Sequence, residues 1–519
     1  MKYRYHLIAL VVIIFTLAGC SGKINSKLVN EKYRPQIHFS PEQKWMNDPN
    51  GMVYYEGEYH LFYQYYPENI NWGPMHWGHA VSKDLIHWEQ LPIALYPDKL
   101  GYIFSGSAVI DWKNKSGLGK DGIPPMIAIF TYHNSEREKQ GKQDFQTQGL
   151  AYSLDKGRTW TKYAKNPVLA NPGVRDFRDP KVIWSDINQK WYMILAVADH
   201  VNIYSSSTLL TWNFESEFGK EIGSHKGVWE CPDLFPMKIE GSNKTKWVMF
   251  VSVNPGAPNG GSGTQYFVGD FDGHEFKSDS QKTKWIDYGT DNYAGVSWSD
   301  IPEKDGRRIY MGWMNNWQYA GLVPTTNWRG ATTIPRSLEL IENHNEYLLK
   351  SHPVVELNDL KTNEKNLGKT TIKDLFEIVE KQQLPIEIDL SFDTKDKTKF
   401  DFAERFGIIL SNKKNEKVVI GYDNLNKAFF IDRTKNGWDN PSHDFAQISY
   451  APYINSDDNL EIRLIIDKSS VELFAKDGLV VMTDQFFPSE DFDTVSLFSE
   501  HGKVELTEGK IFKLSSIWK

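Results

Sequence analysis

The chain has 519 residues, enough for two domains, with 40% hydrophobic and 24% charged residues, an ordinary globular balance. A formal net charge of -8 and the absence of any dense Lys/Arg run exclude a broad phosphate-binding surface, so nucleic acid is not an expected partner. Aromatic residues reach 14%, with 18 Trp and 25 Tyr, an excess that suits a sheet-rich fold or a cleft that binds sugar.

The N-terminus places Lys2 and Arg4 before an apolar run from Leu7 to Leu17, then Leu17-Ala18-Gly19-Cys20. These are the parts of a secretory signal, and the run is too short for an ordinary membrane span. Its last four residues resemble a bacterial lipobox, which makes residues 1–20 a lipoprotein signal and Cys20 the lipidated first residue of an exported, membrane-anchored chain. An ordinary signal with an incidental cysteine is the other reading. Residues 21–35 are polar and read as a tether. With Cys20 lipidated, Cys231 stands alone and no intrachain disulfide can form.

From residue 36 to about 345, short Val/Ile/Tyr/Trp/Phe runs alternate with Gly, Asn and Asp, and few segments show a helical period. A polar turn followed by an aromatic recurs at Ser82–Trp88, Ser153–Trp160, Ser207–Trp212 and Gly269–Phe276. Its spacing of roughly 50 to 70 residues fits units of four strands and gives about five blades of a β-propeller. A sandwich with similar turn chemistry is the alternative. Residues 346–380 are polar and read as a linker with a short helix. Beyond it, Ile386, Ile388, Leu390 and Phe392 alternate with Glu387, Asp389 and Ser391. Lys476-Asp477-Gly478 supplies a hairpin turn. Residues 381–519 therefore read as a β-sandwich, and the fold as all-β.

Three acidic sites stand out. In Trp45-Met46-Asn47-Asp48-Pro49-Asn50-Gly51 and in Arg178-Asp179-Pro180, a proline biases the preceding aspartate toward extended backbone, and Arg178 can pair with a neighbouring carboxylate. In Trp229-Glu230-Cys231-Pro232, an acid lies between an aromatic and a free thiol, a low-polarity setting that suits a general acid. Hydrolysis of a glycoside needs two carboxyl groups, one to attack or activate water and one to protonate the leaving oxygen.

These three motifs, in this order, resemble glycoside hydrolase family 32, the invertase, inulinase and levanase group, and are most similar to its exo-acting bacterial members. The resemblance implies a five-bladed β-propeller followed by a β-sandwich. It implies that Asp48 is the nucleophile, Asp179 a transition-state stabiliser holding fructose hydroxyls, and Glu230 the general acid and then base. It further implies that Asn47, Gln64, Trp72, Phe104, Ser105, Arg178, Tyr293 and Trp313 contribute to the substrate pocket. Asp291-Asn292-Tyr293-Ala294 matches a family stretch except at Asn292, where Phe is usual, which leaves the outer pocket wall open. Trp313 and Trp317 read equally as stacking or as core residues.

The implied activity is that of a retaining exo-β-fructosidase acting on terminal β-fructofuranosyl units of levan, inulin or sucrose. It needs no cofactor and no metal, and His76, His79 and His87 are spaced too irregularly for a metal site. Alternatives are a transfructosylating enzyme of the same fold, a non-catalytic fructan-binding surface lipoprotein, and an inverting propeller hydrolase. Oligomeric state is not legible.

Overall fold

The computed structural model describes residues 30–379, 384–439 and 442–518. Cys20, and the signal and tether up to residue 29, lie outside the described residues.

Five antiparallel units of four strands, with the short strands Lys284–Trp285 and Trp328–Arg329 added, form the N-terminal domain: Lys44–Leu95, Tyr102–Lys162, Phe177–Phe218, Val228–Ser278 and Tyr293–Pro353. Each unit runs from its first strand outward, and the first strand of each packs against the first strand of the next. This is a five-bladed propeller. The ring is closed between its last and first blades, where Trp328–Arg329 pairs in parallel with Lys44–Trp45 and Val53 bridges Ser299. The recurring turns are the hairpins between the third and fourth strands of the first four blades. In each, a short polar side chain caps the turn: Asp84 accepts from the Ile86 and His87 amides, Asp155 from Thr159, Ser206 from Leu209, and Asp272 from His274.

Blades packed on both faces need strands that are apolar on both sides, and the strand Met126–His133 is buried along its whole length. The propeller core is divided accordingly into five clusters, one between each pair of neighbouring blades.

The C-terminal domain is a β-sandwich organised by one long strand, Thr494–Leu514. Its first half pairs with Arg405–Ser411 and its second half with Ile386–Asp393. It changes sheets at His501–Gly502, where both residues have positive φ (53° and 153°) and a Cβ on Gly502 would meet the Phe402 backbone at 2.6 Å. Between the sheets, Ile386, Ile388, Leu390 and Phe392 pack with Phe406, Ile420, Leu464 and Leu497. Their alternation has one exception: Glu387 is fully buried, held by Lys361 and Arg463.

The stretch expected as a linker is structured. Glu346–Pro353 is the outer strand of the fifth blade, Val355–Leu360 is a 3-10 helix, and Lys361–Asn366 and Thr370–Val379 both pair with the long strand. Polar side chains mislead there because these strands lie at solvent-facing edges. The tether also ends sooner than residue 35: Tyr33 and Arg34 are buried, and the Gln36 and Ile37 amides bond Asp467 of the sandwich.

Candidate active site

Each of the five innermost strands carries a β-bulge near its start. The bulges fall at Asn47-Asp48, Phe104-Ser105, Asp179-Pro180, Cys231-Pro232 and Ala294-Gly295. A bulge breaks the ladder and re-aims a side chain. Here five of them act around one axis; two end on Pro180 and Pro232, and Pro49 directly follows a third, residues that have no N–H to leave unpaired.

Asp179 departs from expectation. The proline after it should favour extended backbone, yet its φ is +64°, and Cys231 before Pro232 has φ +46°. Such conformations cost roughly 1–3 kcal/mol each and persist where surrounding structure dictates them. The dictating contacts are present: the Asp179 amide donates to Thr131 Oγ1 (2.9 Å) and the Cys231 amide donates to Asp179 Oδ2 (3.1 Å).

The three acids converge. Asp48 Oδ2 accepts from Ser105 Oγ (2.7 Å) and Asp48 Oδ1 from Asn47 Nδ2 (2.9 Å), while Asn47 Oδ1 is fixed by the Trp45 indole (2.7 Å). The Cys231 thiol lies 3.5 Å from Asp48 Oδ2 and 3.7 Å from Asp179 Oδ2, so one sulfur spans both carboxyls. Glu230 Oε1 accepts from Arg178 Nε (3.1 Å) and is ion-paired with Nη2 (3.0 Å), and Oε2 accepts from the Tyr293 hydroxyl. Arg178 also pairs with Asp176 (2.6 Å).

Burial pushes the Asp48 carboxyl up, helped by the nearby Glu230 charge and opposed by Ser105 and Asn47. Burial likewise raises Asp179 to about 7; the charges of Glu230 and Asp48 add to this, against Arg178 and the Cys231 amide. The thiol of Cys231 is pushed up by burial among three acids and stays neutral.

The acids open into a cavity of about 290 Å³. Asn47, Gln64, Trp72, Phe104, Ser105 and Arg178 line it, with Asp48, Asp179 and Glu230. Gln64 is buried and its Nε2 has no protein partner. Trp72 is 45% exposed at the rim, edge-on to Phe104.

Three expectations are corrected. Trp313 does not line the cavity: it ends an inner strand fully buried between Trp45 and Trp317, and Trp317, on the following loop, reaches the wall instead. Tyr293 is buried behind the wall and touches Glu230 rather than open cavity. Asn292, the one departure from the family stretch, is buried between Asp287 and Tyr310. Glu230 is not flanked in space by Trp229, whose ring packs on His225 and Phe267, because alternate side chains of a strand face opposite ways.

Sequence reading missed Asp176, His133, Glu138, Phe145 and Gln146, which also line the cavity. Asp176, two residues before Arg178, was the one with a local signal. His133 stacks on Phe104 (4.3 Å) and bonds Glu138 (3.1 Å); burial lowers it to about 4, leaving it neutral near pH 7. His76, His79 and His87 have separate partners in Pro74, His60 and Asp84. Among the described residues no cluster of three or more His, Cys, Asp or Glu is arranged to hold a metal ion.

A five-bladed propeller whose axis ends in three converging carboxyl groups, one of them held by an arginine and a phenol, is built for acid/base and nucleophilic chemistry on a small polar substrate, the class of glycoside hydrolases. Residues 38–353 match the glycosyl hydrolases family 32 N-terminal domain and residues 351–513 the glycosyl hydrolases family 32 C-terminal domain. The chain belongs to glycosyl hydrolases family 32.

It is 47% identical over 526 residues to a levanase of Bacillus subtilis (strain 168), covering 100% of this chain and 76% of that one. It is 39% identical over 540 residues to an extracellular exo-inulinase of Aspergillus niger, covering 98% of each. Among solved structures, the exo-inulinase from Aspergillus awamori superposes with a TM-score of 0.86 at 36% identity, over 94% of this chain and 99% of that one. The β-fructofuranosidase from Schwanniomyces occidentalis complexed with fructosyl-erythritol gives 0.85 at 33%, over 94% and 98%.

Proposed function

We propose that this glycoside hydrolase is a retaining exo-β-fructosidase that releases terminal β-D-fructofuranosyl units from levan, inulin or sucrose. The observation that carries the reading is that Asp48 and Glu230 face one cavity of about 290 Å³, at the lower end of ligand-pocket sizes and suited to one terminal sugar rather than a chain. The relatives named levanase and exo-inulinase support fructan as the substrate class.

Asp48 attacks the anomeric C2 while Glu230 gives its proton to the departing oxygen, forming a fructosyl-enzyme ester through an oxocarbenium-like state. Glu230, now ionised, takes a proton from water, which attacks C2 and frees Asp48. Ser105 and Asn47 hold Asp48 by its two oxygens, so its trajectory is fixed before substrate arrives. Asp179, balanced near neutrality, can donate to one fructose hydroxyl or accept from another. The unpartnered Gln64 amide offers a further donor.

Side-by-side digestion of levan, inulin and sucrose with product sizes resolved tests the reading. Fructose alone from the first minutes supports it; early mixed oligosaccharides from levan or inulin overturn exo-action, and fructosyl transfer products dominating at high sucrose overturn hydrolysis.

We further propose export and lipid anchoring through Cys20, supported by Leu17-Ala18-Gly19-Cys20 after a charged start. Cys20→Ala is expected to move activity out of the membrane fraction, and unchanged partitioning overturns this.

A further inference from the structure

Tyr293, which holds Glu230, sits at the end of a segment gripped by the other domain. The Tyr288 and Asp291 amides donate to Val481 O (2.8 Å) and Thr483 O (2.9 Å) of the sandwich strand Val480–Gln485, and the Thr290 amide donates to Asp484 Oδ1 (2.6 Å). The strongest hold is ionic. Arg433, on the sandwich strand Ala428–Lys435, donates through Nη1 to Asp291 Oδ2 (2.6 Å). Its Nη2 donates to the Tyr319 hydroxyl (2.9 Å), which in turn donates to Asp291 Oδ1 (2.8 Å). Arg433, Asp291 and Tyr319 are all buried, and the guanidinium stacks 3.9 Å from the Phe445 ring.

Asp291 is two residues before Tyr293, and neither the backbone nor the intervening Asn292 has slack. Asn292 is tied to Tyr310 Oη (2.7 Å) and to Asp287 (3.1 Å), and Asp287 is itself tied to Arg336 (2.9 Å) and Thr483 (2.7 Å). A shift of Asp291 therefore reaches the Tyr293 hydroxyl.

We propose that Arg433, from the sandwich, is a positioning residue for Glu230, acting through Asp291 and Tyr293. The sandwich then belongs to the catalytic apparatus although, among the described residues, none of its side chains lines the cavity. Arg178 holds one carboxyl oxygen of Glu230 from within the propeller, and the Arg433 route fixes the other. Misplacement by about 1 Å can cost on the order of a hundredfold in rate. The loss should concentrate in proton donation, because Asp48 is held separately by Ser105 and Asn47.

The inference rests on Glu230 being the proton donor, and one set of variants separates the two claims. Turnover of sucrose is compared with first-step fructosylation by an aryl fructoside whose leaving group needs no proton. Glu230→Ala sets the pattern: sucrose turnover collapses and the aryl substrate is spared. Arg433→Gln is expected to lower kcat on sucrose about tenfold to a hundredfold, with KM and the aryl reaction within about threefold of wild type. Arg433→Lys should recover part of the loss. Combining Arg433→Gln with Tyr293→Phe should cost no more than Tyr293→Phe alone, since both act on one contact. If Arg433→Gln fails to fold, Tyr319→Phe, which removes one bridge and leaves no charge unpaired, is expected to give the same substrate split at smaller size.

Equal losses on both substrates, or additive losses in the double variant, overturn the role of Arg433. A Glu230→Ala enzyme that loses both substrates alike overturns the proton-donor assignment itself.

Discussion

Asp179 in the pocket and Glu472 at the seam between the domains are both acids with almost no exposure, and they are treated in opposite ways. Glu472 meets Arg336, the His38 imidazole and the Ile334 amide, and these partners hold its carboxyl below the usual range despite burial. Asp179 shares a single arginine with Glu230 and Asp176, faces Asp48 and is pushed up to about 7. Burial is common to the two, so the supply of donors decides. At the seam, Arg336, Arg433 and backbone amides meet Asp287, Asp291 and Asp467. In the pocket, carboxyl crowds carboxyl, and the unmet capacity is what a substrate can use.

The sharpest way to break this comparison is to remove charge from each region and read activity and stability separately. Asp48→Asn is expected to lower turnover roughly 10³-fold or more on every substrate, while unfolding free energy stays level or rises as carboxyl repulsion is relieved. Equilibrium unfolding beside steady-state kinetics checks both parts, and a marked loss of stability would mean that the pocket acids also hold the fold.

Arg336→Met does the reverse at the seam. It strands Asp287 and Glu472 in a buried site, and the expected cost is about 3–5 kcal/mol in denaturant unfolding. A cost under about 1 kcal/mol would show the seam to be as tolerant as a surface pair.

The seam also carries a pH dependence. His38 is buried between Asp467 (2.8 Å) and Glu472 (3.0 Å); burial alone would lower it, but these two acids raise it to about 9. Because the folded value lies above the unfolded value near 6.5, its contribution is fully present below pH 6.5 and is lost as the pH rises through 9. The expected fall is on the order of a few kcal/mol, and unfolding curves from pH 6 to pH 10 should show it. His38→Gln should flatten that slope; an unchanged slope would place the alkaline sensitivity elsewhere.

The smallest expected effect is at the rim. Trp72→Ala should raise KM a few-fold with kcat nearly unchanged, because an exposed ring contributes binding common to ground and transition states.

Much of this molecule was legible in its sequence where local chemistry recurs. The capped turns ending in an aromatic marked four of the five blades, and the fifth escaped because its strands are joined by a tight two-residue turn, His344-Asn345, both at positive φ, instead of a longer capped one. Asp48, Asp179 and Glu230 were legible because three short motifs, each unremarkable alone, occur in an order that resembles one family; the bulges that aim their side chains were not visible in the sequence. What stayed hidden depends on distant partners. Asp291 had no legible role in the sequence, because its partner Arg433 is 142 positions away. Trp313 and Trp317 are four residues apart and alike in composition, and only the end of the strand at Trp313 decides which faces the core. The charged stretch 361–379 concealed two strands because each pairs at an exposed edge.

The account turns on Asp48 forming a covalent bond to fructose, and the stereochemistry of transfer tests this most directly. When methanol replaces water in the second step, the product is a methyl fructofuranoside whose configuration is fixed and can be read by NMR. Attack by Asp48 followed by methanol, activated by Glu230, inverts C2 twice and gives the β-anomer. The α-anomer would mean a single displacement with no fructosyl-enzyme, and would contradict the role of Asp48 as nucleophile.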